Sequence, residues 1–223
     1  MTSAHAVSDS VSHERKLAQA DVVSLRKRIT RLDTDGIDLI LRTARSHHTW
    51  KPIPVTDEDL RQIHSVARWG PTSTNGNPAR YVFIRTIDQK ERLLKCVSEG
   101  NRPKVLAAPV ICIVAYDIDW WKALGRLFAH KDMSGPYRAS QTKAAETAFR
   151  NSSLQAAYFM IAARALGFDV GAMSGFDNAM VDSEFFSETT FRSNLLCTIG
   201  YADVTGLFPR LPRYSFDEVC TIL

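Results

Sequence analysis

A turn-rich run, Trp69–Ile84 (WGPTSTNGNPARYVFI), gathers Pro71, Thr72, Ser73, Thr74, Asn75, Gly76, Asn77 and Pro78 just before an apolar strand. Short hydroxyl and amide side chains beside free backbone N–H groups suit a planar polar ligand, and they also make a good helix-to-strand turn. Upstream, Ala44-Arg45-Ser46-His47-His48-Thr49-Trp50 stands at a helix end before Pro52. A guanidinium takes phosphate oxygens in pairs and a serine adds a hydroxyl donor; Arg210 and Arg213 are a second basic pair far downstream. These arginines read equally as solvated surface charges. Ala172–Asp177 (AMSGFD) is a turn in which Ser174 offers a hydroxyl and Gly175 permits close backbone approach to a ligand. Arg150-Asn151 stand at the mouth of an apolar helical stretch, where they either cap the core or bind a substrate carboxylate.

Other chemistries are excluded by what is missing or misplaced. His47 and His48 are adjacent and would point apart on a helix, with no carboxylate at ligand spacing, so no metal site is expected. Cys96, Cys112, Cys197 and Cys220 lie far apart with no CxxC pair, and Cys112 and Cys197 sit in apolar runs. They read as small buried hydrophobes of a reducing compartment, and no catalytic thiol is expected. The order of a Ser-His-Asp triad, a P-loop and a GxGxxG are all missing, so a nicotinamide cofactor would visit the site and not reside in it. A net charge of +4 over 223 residues permits anionic small molecules, without the dense basic stripe that nucleic acid needs. The first twenty residues hold no apolar signal core. Leu154–Ala163, flanked by Arg150 and Arg164, is too short for a bilayer, so a cytoplasmic protein without membrane contact is expected.

The elements that must position these residues follow from periodicity. Residues 1 to about 14 lack it, and 1–20 are expected to be a flexible segment before a single α+β domain, 21–223. Glu14–Leu41 is helical in pattern, punctuated at Asp33 and Asp35-Gly36, and its first helix would wrap either a partner subunit or its own core. Thr56 and Asp59 form a capping box that opens a helix through Trp69. Tyr81–Arg85 is a short strand, Asp88–Ser98 a charged helix, and Ala108–Tyr116 a strand covered on both faces. Asp117–Tyr137 is a partly helical excursion, a lid or a dimer-exchanged segment. Gln141–Leu166 is a long Ala-rich helix closed by Gly167. Gly171–Asp177 is expected as a turn, Val181–Phe186 as a short helix, Leu195–Tyr201 as a buried strand and Val219–Leu223 as a final strand.

Taken in order, these segments resemble the nitroreductase superfamily of flavin mononucleotide (FMN) enzymes. Arg45–His48 is similar to its first phosphate and pyrimidine-edge motif, Gly70–Pro78 to its Pro-Ser-x-x-Asn-x-x-Pro flavin motif, and Met173–Asp177 to the turn facing flavin N5. Phe208-Pro209-Arg210-Leu211-Pro212 is similar to its C-terminal phosphate motif. Within it, Gly70–Arg80, Glu146–Tyr158, Met173–Asp177 and Ser193–Tyr201 resemble the malonic semialdehyde reductase (3-hydroxypropionate dehydrogenase) subfamily with its dehalogenase-like relatives. The resemblance covers about residues 35–223. Ala44, His48, Ser174 and Asn77-Pro78-Ala79 depart from the wider superfamily, and His48 stands where a fixed cation near flavin N1 is usual.

The resemblance implies a three-layer α+β sandwich with a central mixed sheet, in a domain-entwined homodimer whose sites form at the interface. Residues 71–75 would come from the neighbouring chain. It implies FMN held by Arg45, Ser46, His47, His48, Pro71, Thr72, Ser73, Asn75, Ser174, Gly175 and Arg210, with NADH or NADPH as co-substrate in a ping-pong hydride transfer. The flavin does the chemistry, so Ser174 and Arg150 are only candidates for catalytic roles, and Arg150 or Arg80 would pair with a substrate carboxylate. Malonic semialdehyde or a related small electrophile is the expected acceptor. A nitroaromatic, quinone or halophenol reductase, and a non-catalytic flavin-binding protein, are the alternatives.

Overall fold

Thr56 illustrates how local sequence starts an element here. Its hydroxyl accepts from Asp59 N–H, while the Asp59 carboxylate accepts from the Thr56 N–H, closing the expected capping box. The computed structural model describes the backbone of residues 2–223 and the side chains of residues 13–223; Met1 lies outside the described residues. The chain divides into two compact units, one ending at Thr43 and one beginning at Ala44.

The first unit holds helix α1 (Thr2–Arg28), then Thr34–Ile37 and a π-helical turn, Asp38–Arg42. The backbone from Thr2 is thus helical through the segment expected to be flexible. Asp33 caps the second helix by accepting from Gly36 N–H, which is why the punctuation at Asp33 is a break between helices.

The second unit holds α2 (Asp57–Ala67), β1 (Ala79–Ile84), α3 (Ile87–Leu94), β2 (Val110–Asp117), α4 (Gln141–Ala165), β3 (Asp169–Met173), α5 (Asn178–Phe186) and β4 (Phe191–Gly200). The strand order is β1-β2-β4-β3. The expected mixed sheet is corrected: all three pairings are antiparallel, and the parallel contact among the described residues is an isolated bridge, Ser46 to Val170. Three strands of the four are reached through helical connections, yet the strand order alternates their direction.

Alternation along β2 separates two cores. Val110, Cys112 and Val114 pack with Leu60, Ile63, Ala156, Phe159 and Ala163, beneath α2 and α4. Ile111, Ile113 and Ala115 pack on the opposite face with Leu93, Val105, Val181 and Phe186. The three expected layers are present. Gly167 ends α4 at φ 84° as expected. Two boundaries differ from periodicity: residues 171–173 belong to β3 because they pair with β4, and the expected final strand Val219–Leu223 does not form, since Val219 ends a helical turn, Phe216–Val219, with its own capping box at Ser215 and Glu218, and residues 220–223 pair with no strand. Among the described residues, no helix is long and apolar enough to cross a membrane.

Candidate functional site

Two basic segments meet at the edge of β3. Arg45 Nη2 donates to Phe208 O, and Arg210 Nη2 donates to Ala44 O at 2.9 Å. Each arginine thus fixes the backbone beneath the other, holding two guanidiniums at one place beside exposed Ser46. The His48 and Phe208 rings lie 6.0 Å apart. Ser46 is held by its bridge to Val170, and His47 N–H donates to Val170 O at 3.0 Å. Gly171 is required there, since a Cβ would stand 2.2 Å from His47 O.

His47 itself turns inward. Its side chain is 7% exposed, Nε2 lies 3.3 Å from Asp169 Oδ1, and Nδ1 is enclosed without a partner. Both ring nitrogens therefore face protein, so the ring positions the 45–48 segment from below. Burial holds its pKa below the usual histidine value, against the attraction of Asp169. Arg164, near the C-terminus of α4, adds a half-buried cation that Asp169 and Arg210 both feel. Spacing in sequence gives no hint of that role, because Arg164 reads as a helix flank.

The 174–177 turn follows β3 directly. Ser98 N–H and Asn101 Nδ2 both donate to Gly175 O at 3.0 Å, and Asp177 N–H donates to Cys96 O at 2.8 Å. Lys104 Nζ in turn reaches Asn101 Oδ1 at 2.9 Å. Asn101 and Lys104, on the short helix Arg102–Ala107 and its N-terminus, are polar residues that sequence reading missed. Gly100-Asn101 reads only as a turn until the fold brings it to Gly175. Ser174 is exposed.

At the opposite edge, before β1, the 71–78 loop carries three non-glycine residues in left-handed backbone: Thr74 (φ 50°), Asn75 (51°) and Asn77 (43°). Asparagine tolerates this region, but a β-branched threonine is strained there, and such strain persists only where surroundings impose it. They do so here. Buried Asn151 accepts from Ser73 N–H at 2.8 Å, Gln155 accepts from Ala79 N–H at 2.9 Å, and Asn75 Nδ2 donates to Leu127 O at 2.8 Å. Gly76 packs on Trp120, where a Cβ would stand 2.3 Å away. Pro71 and Ser73 are left exposed, with Thr72 half-buried and its hydroxyl accepting from Asn77 N–H. An open cavity adjoins the loop, lined in part by Arg68, Trp69, Asn75, Arg80 and Arg126.

The two candidate carboxylate partners separate. Arg80 is consumed by structure: Nη2 pairs with Asp117 at 2.7 Å and Nη1 donates to Asn77 O and Ala79 O. Arg150 is exposed, one residue from the Asn151 that anchors the loop. Arg213 donates to its neighbours Leu211 O and Pro212 O. The buried cysteines offer no nucleophile, since burial pushes Cys197 up to about 12 and Cys112 well above the usual thiol range.

A sequence model of the family described as "Nitroreductase family" matches residues 41–201. The chain belongs to the nitroreductase family. Its fold is shared with a candidate nitroreductase from Bacillus subtilis at 22% identity and TM-score 0.76, over 86% of this chain and 100% of that one. It is shared also with a candidate nitroreductase from Exiguobacterium sibiricum in complex with FMN (18%, 0.74, 86% and 99%). A third neighbour is a candidate NAD(P)H:FMN oxidoreductase from Staphylococcus epidermidis (18%, 0.75, 86% and 98%). Of the expected site residues in this nitroreductase-family chain, Arg45, Ser46, His48 and Arg210 come together beside β3, at the end of which the Ser174-Gly175 turn follows. Pro71, Thr72, Ser73 and Asn75 come together at the other.

Proposed function

We propose that this protein is an FMN-dependent NAD(P)H oxidoreductase that reduces a small carboxylate-bearing electrophile, malonic semialdehyde being the acceptor that the sequence motifs favour. The carrying observation is the crossed pair Arg45–Phe208 and Arg210–Ala44, which presents two guanidiniums beside Ser46 and His48 as a phosphate seat. The pre-strained 71–78 loop and the pinned Ser174-Gly175 turn supply polar groups for a planar ring. FMN, when bound, supplies a hydride acceptor and donor that serves the nicotinamide and the electrophile in turn. The protein binds the phosphate through Arg45, Ser46 and Arg210, orients the ring through Ser73, Asn75, Ser174 and Gly175, and leaves Arg150 to pair with a substrate carboxylate. No covalent nucleophile is needed, because positioning accounts for the rate.

One chain holds the two halves of this seat apart, so a homodimer with sites at the interface completes the reading. Asn151 anchors the loop, and Arg164, whose charge Arg210 feels, stands thirteen positions further along α4, about 20 Å at about 1.5 Å per residue.

The test is an absorbance spectrum of the purified protein followed by anaerobic addition of NADPH or NADH. A yellow protein that bleaches supports the oxidoreductase. A flavin that stays oxidised leaves a non-catalytic binding protein, and a colourless protein that takes up no added FMN overturns the cofactor. Acceptor screening at fixed NADPH then separates malonic semialdehyde from nitroaromatics, quinones and halophenols. Arg150→Ala is expected to lower kcat/KM for malonic semialdehyde by ten- to a hundred-fold, about 1.4–2.8 kcal/mol, with flavin content kept. Unchanged kinetics would remove the carboxylate role.

A further inference from the structure

Helix α1 presents an apolar stripe of a particular kind. Ala18, Val22, Leu25 and Ile29 recur at intervals of four, three and four. All four are exposed, Val22 by 59% and Leu25 by 47%. Ile29 stays on the stripe because its N–H still donates to Leu25 O at 2.9 Å. Leu17 and Val23 are also exposed but lie off it. Intervals of three and four are the seam of a coiled coil, and here β-branched Val22 and Ile29 hold one seam position while Ala18 and Leu25 hold the other. β-branched residues at the first position with leucine at the second favour two parallel strands.

Charge suits a second copy of this chain as the partner. Glu14 and Asp21 flank the stripe on one side, Gln19 and Arg26 on the other. Parallel strands set each flank residue against the opposite flank five positions on in the other helix, so Asp21 of each copy meets Arg26 of the other. Arg26 donates Nη1 to Thr30 O at 3.0 Å and keeps further N–H groups for an acidic partner.

We propose that α1 pairs in parallel with α1 of a second copy of this chain as a short two-stranded coiled coil. The seam spans under two heptads, too few for an isolated pair, so it forms between copies held together by other contacts. To that extent it rests on the dimer proposed above. Residues before 41 lie outside the segment that the family model matches.

The test uses the full-length protein carrying Cys220→Ser, since Cys96, Cys112 and Cys197 are buried. Leu25→Cys, on the seam, is expected to form an interchain disulfide about tenfold faster on mild oxidation than Val23→Cys, off it, because only the seam brings equivalent Cα atoms within bridging range. Adding Asp21→Arg slows the reaction, and Asp21→Arg with Arg26→Asp restores it. Equal rates at 25 and 23 overturn the coil, as does faster joining of Ala18→Cys to Ile29→Cys chains, which marks antiparallel strands. Light scattering on the unmodified protein separates the two readings. A dimer without the Leu25→Cys bridge overturns the coil alone, and a monomer overturns both.

Discussion

Lys104 reaches the Ser174–Asp177 turn through one intermediary, Asn101, whose amide spans from the lysine Nζ to Gly175 O. His48, at the position where the resemblance leads one to look for a fixed cation, is half-buried against Phe208. A positive charge close to the ring favours the negative charge that the ring gains on reduction. Lys104→Met is therefore expected to make the flavin potential more negative and slow reduction by NADPH, with FMN retained; potentiometry with xanthine oxidase as electron source reads it. His47 makes a second prediction at this scale. Its folded pKa lies below the unfolded value because burial disfavours the imidazolium, so the unfolded chain takes up the proton first as pH falls. Stability from this group is full above about pH 6.5. It declines as pH drops from there toward the folded pKa, below which the slope ends. Thermal melts across pH 7.5 to 5 check it, and His47→Leu should flatten that part of the profile. Arg80 explains why such residues are hard to read from sequence. Its neighbours in sequence are those of a ligand loop, but its partner Asp117 lies across the sheet on β2, and only the register Ala79 to Tyr116 reveals that it is spent on structure.

β3 carries the proposed phosphate edge on one flank and the Ser174-Gly175 turn at its end, so its integrity sets the distance between them. Ser46 pairs with Val170, and Ser174 lies four residues on, about 13 Å at about 3.3 Å per residue. That span is suited to a ligand with a phosphate at one end and a ring at the other. Gly171→Ala tests the element as a whole: its Cβ would strike His47 O at 2.2 Å, backbone that can move only by breaking the Ser46–Val170 bridge. Overpacking of this kind costs about 1–3 kcal/mol. The expected result is a variant that folds with a lower Tm and purifies with most of its FMN lost, and full flavin occupancy would show that the edge tolerates the shift. Elements with local signals were legible in the sequence: Thr56 with Asp59 opens α2, Gly167 closes α4, and the unbroken apolar run Ala108–Tyr116 spans the doubly covered β2 but for Asp117. What was not legible depended on pairing. Residues 171–173 carry turn-like Gly and Ala yet become strand by hydrogen bonding to β4, and Val219–Leu223 has strand-like residues but no strand beside it.

At the scale of the molecule, the decisive fact is which side of the sheet each half-site occupies. The strand order puts β1 and β3 at opposite edges, with two strands between, about 14 Å at about 4.8 Å per spacing. The 71–78 loop and the proposed Arg45–Arg210 seat are each held by their own hydrogen bonds, and on α4 Asn151, which anchors the loop, and Arg164, whose charge Arg210 feels, stand about 20 Å apart. In the proposed twofold dimer the same face on both copies meets itself, and each loop would be delivered to the other chain's proposed phosphate edge. The consequence is complementation. An Arg45→Ala/Arg210→Ala chain lacks the phosphate seat, and an Asn75→Ala/Ser73→Ala chain lacks the loop donors; each homodimer is expected to be nearly free of flavin and activity. In the mixed dimer, one site takes its loop from the first chain and its seat from the second, so it is wild type, while the other site carries all four changes. Co-expression with two affinity tags isolates that mixed species. It should recover about half of the wild-type flavin and NADPH oxidation per dimer, at an unchanged KM, because the surviving site is whole. Sites built within single chains would give the opposite result, with every site in the mixed dimer defective and no recovery at all.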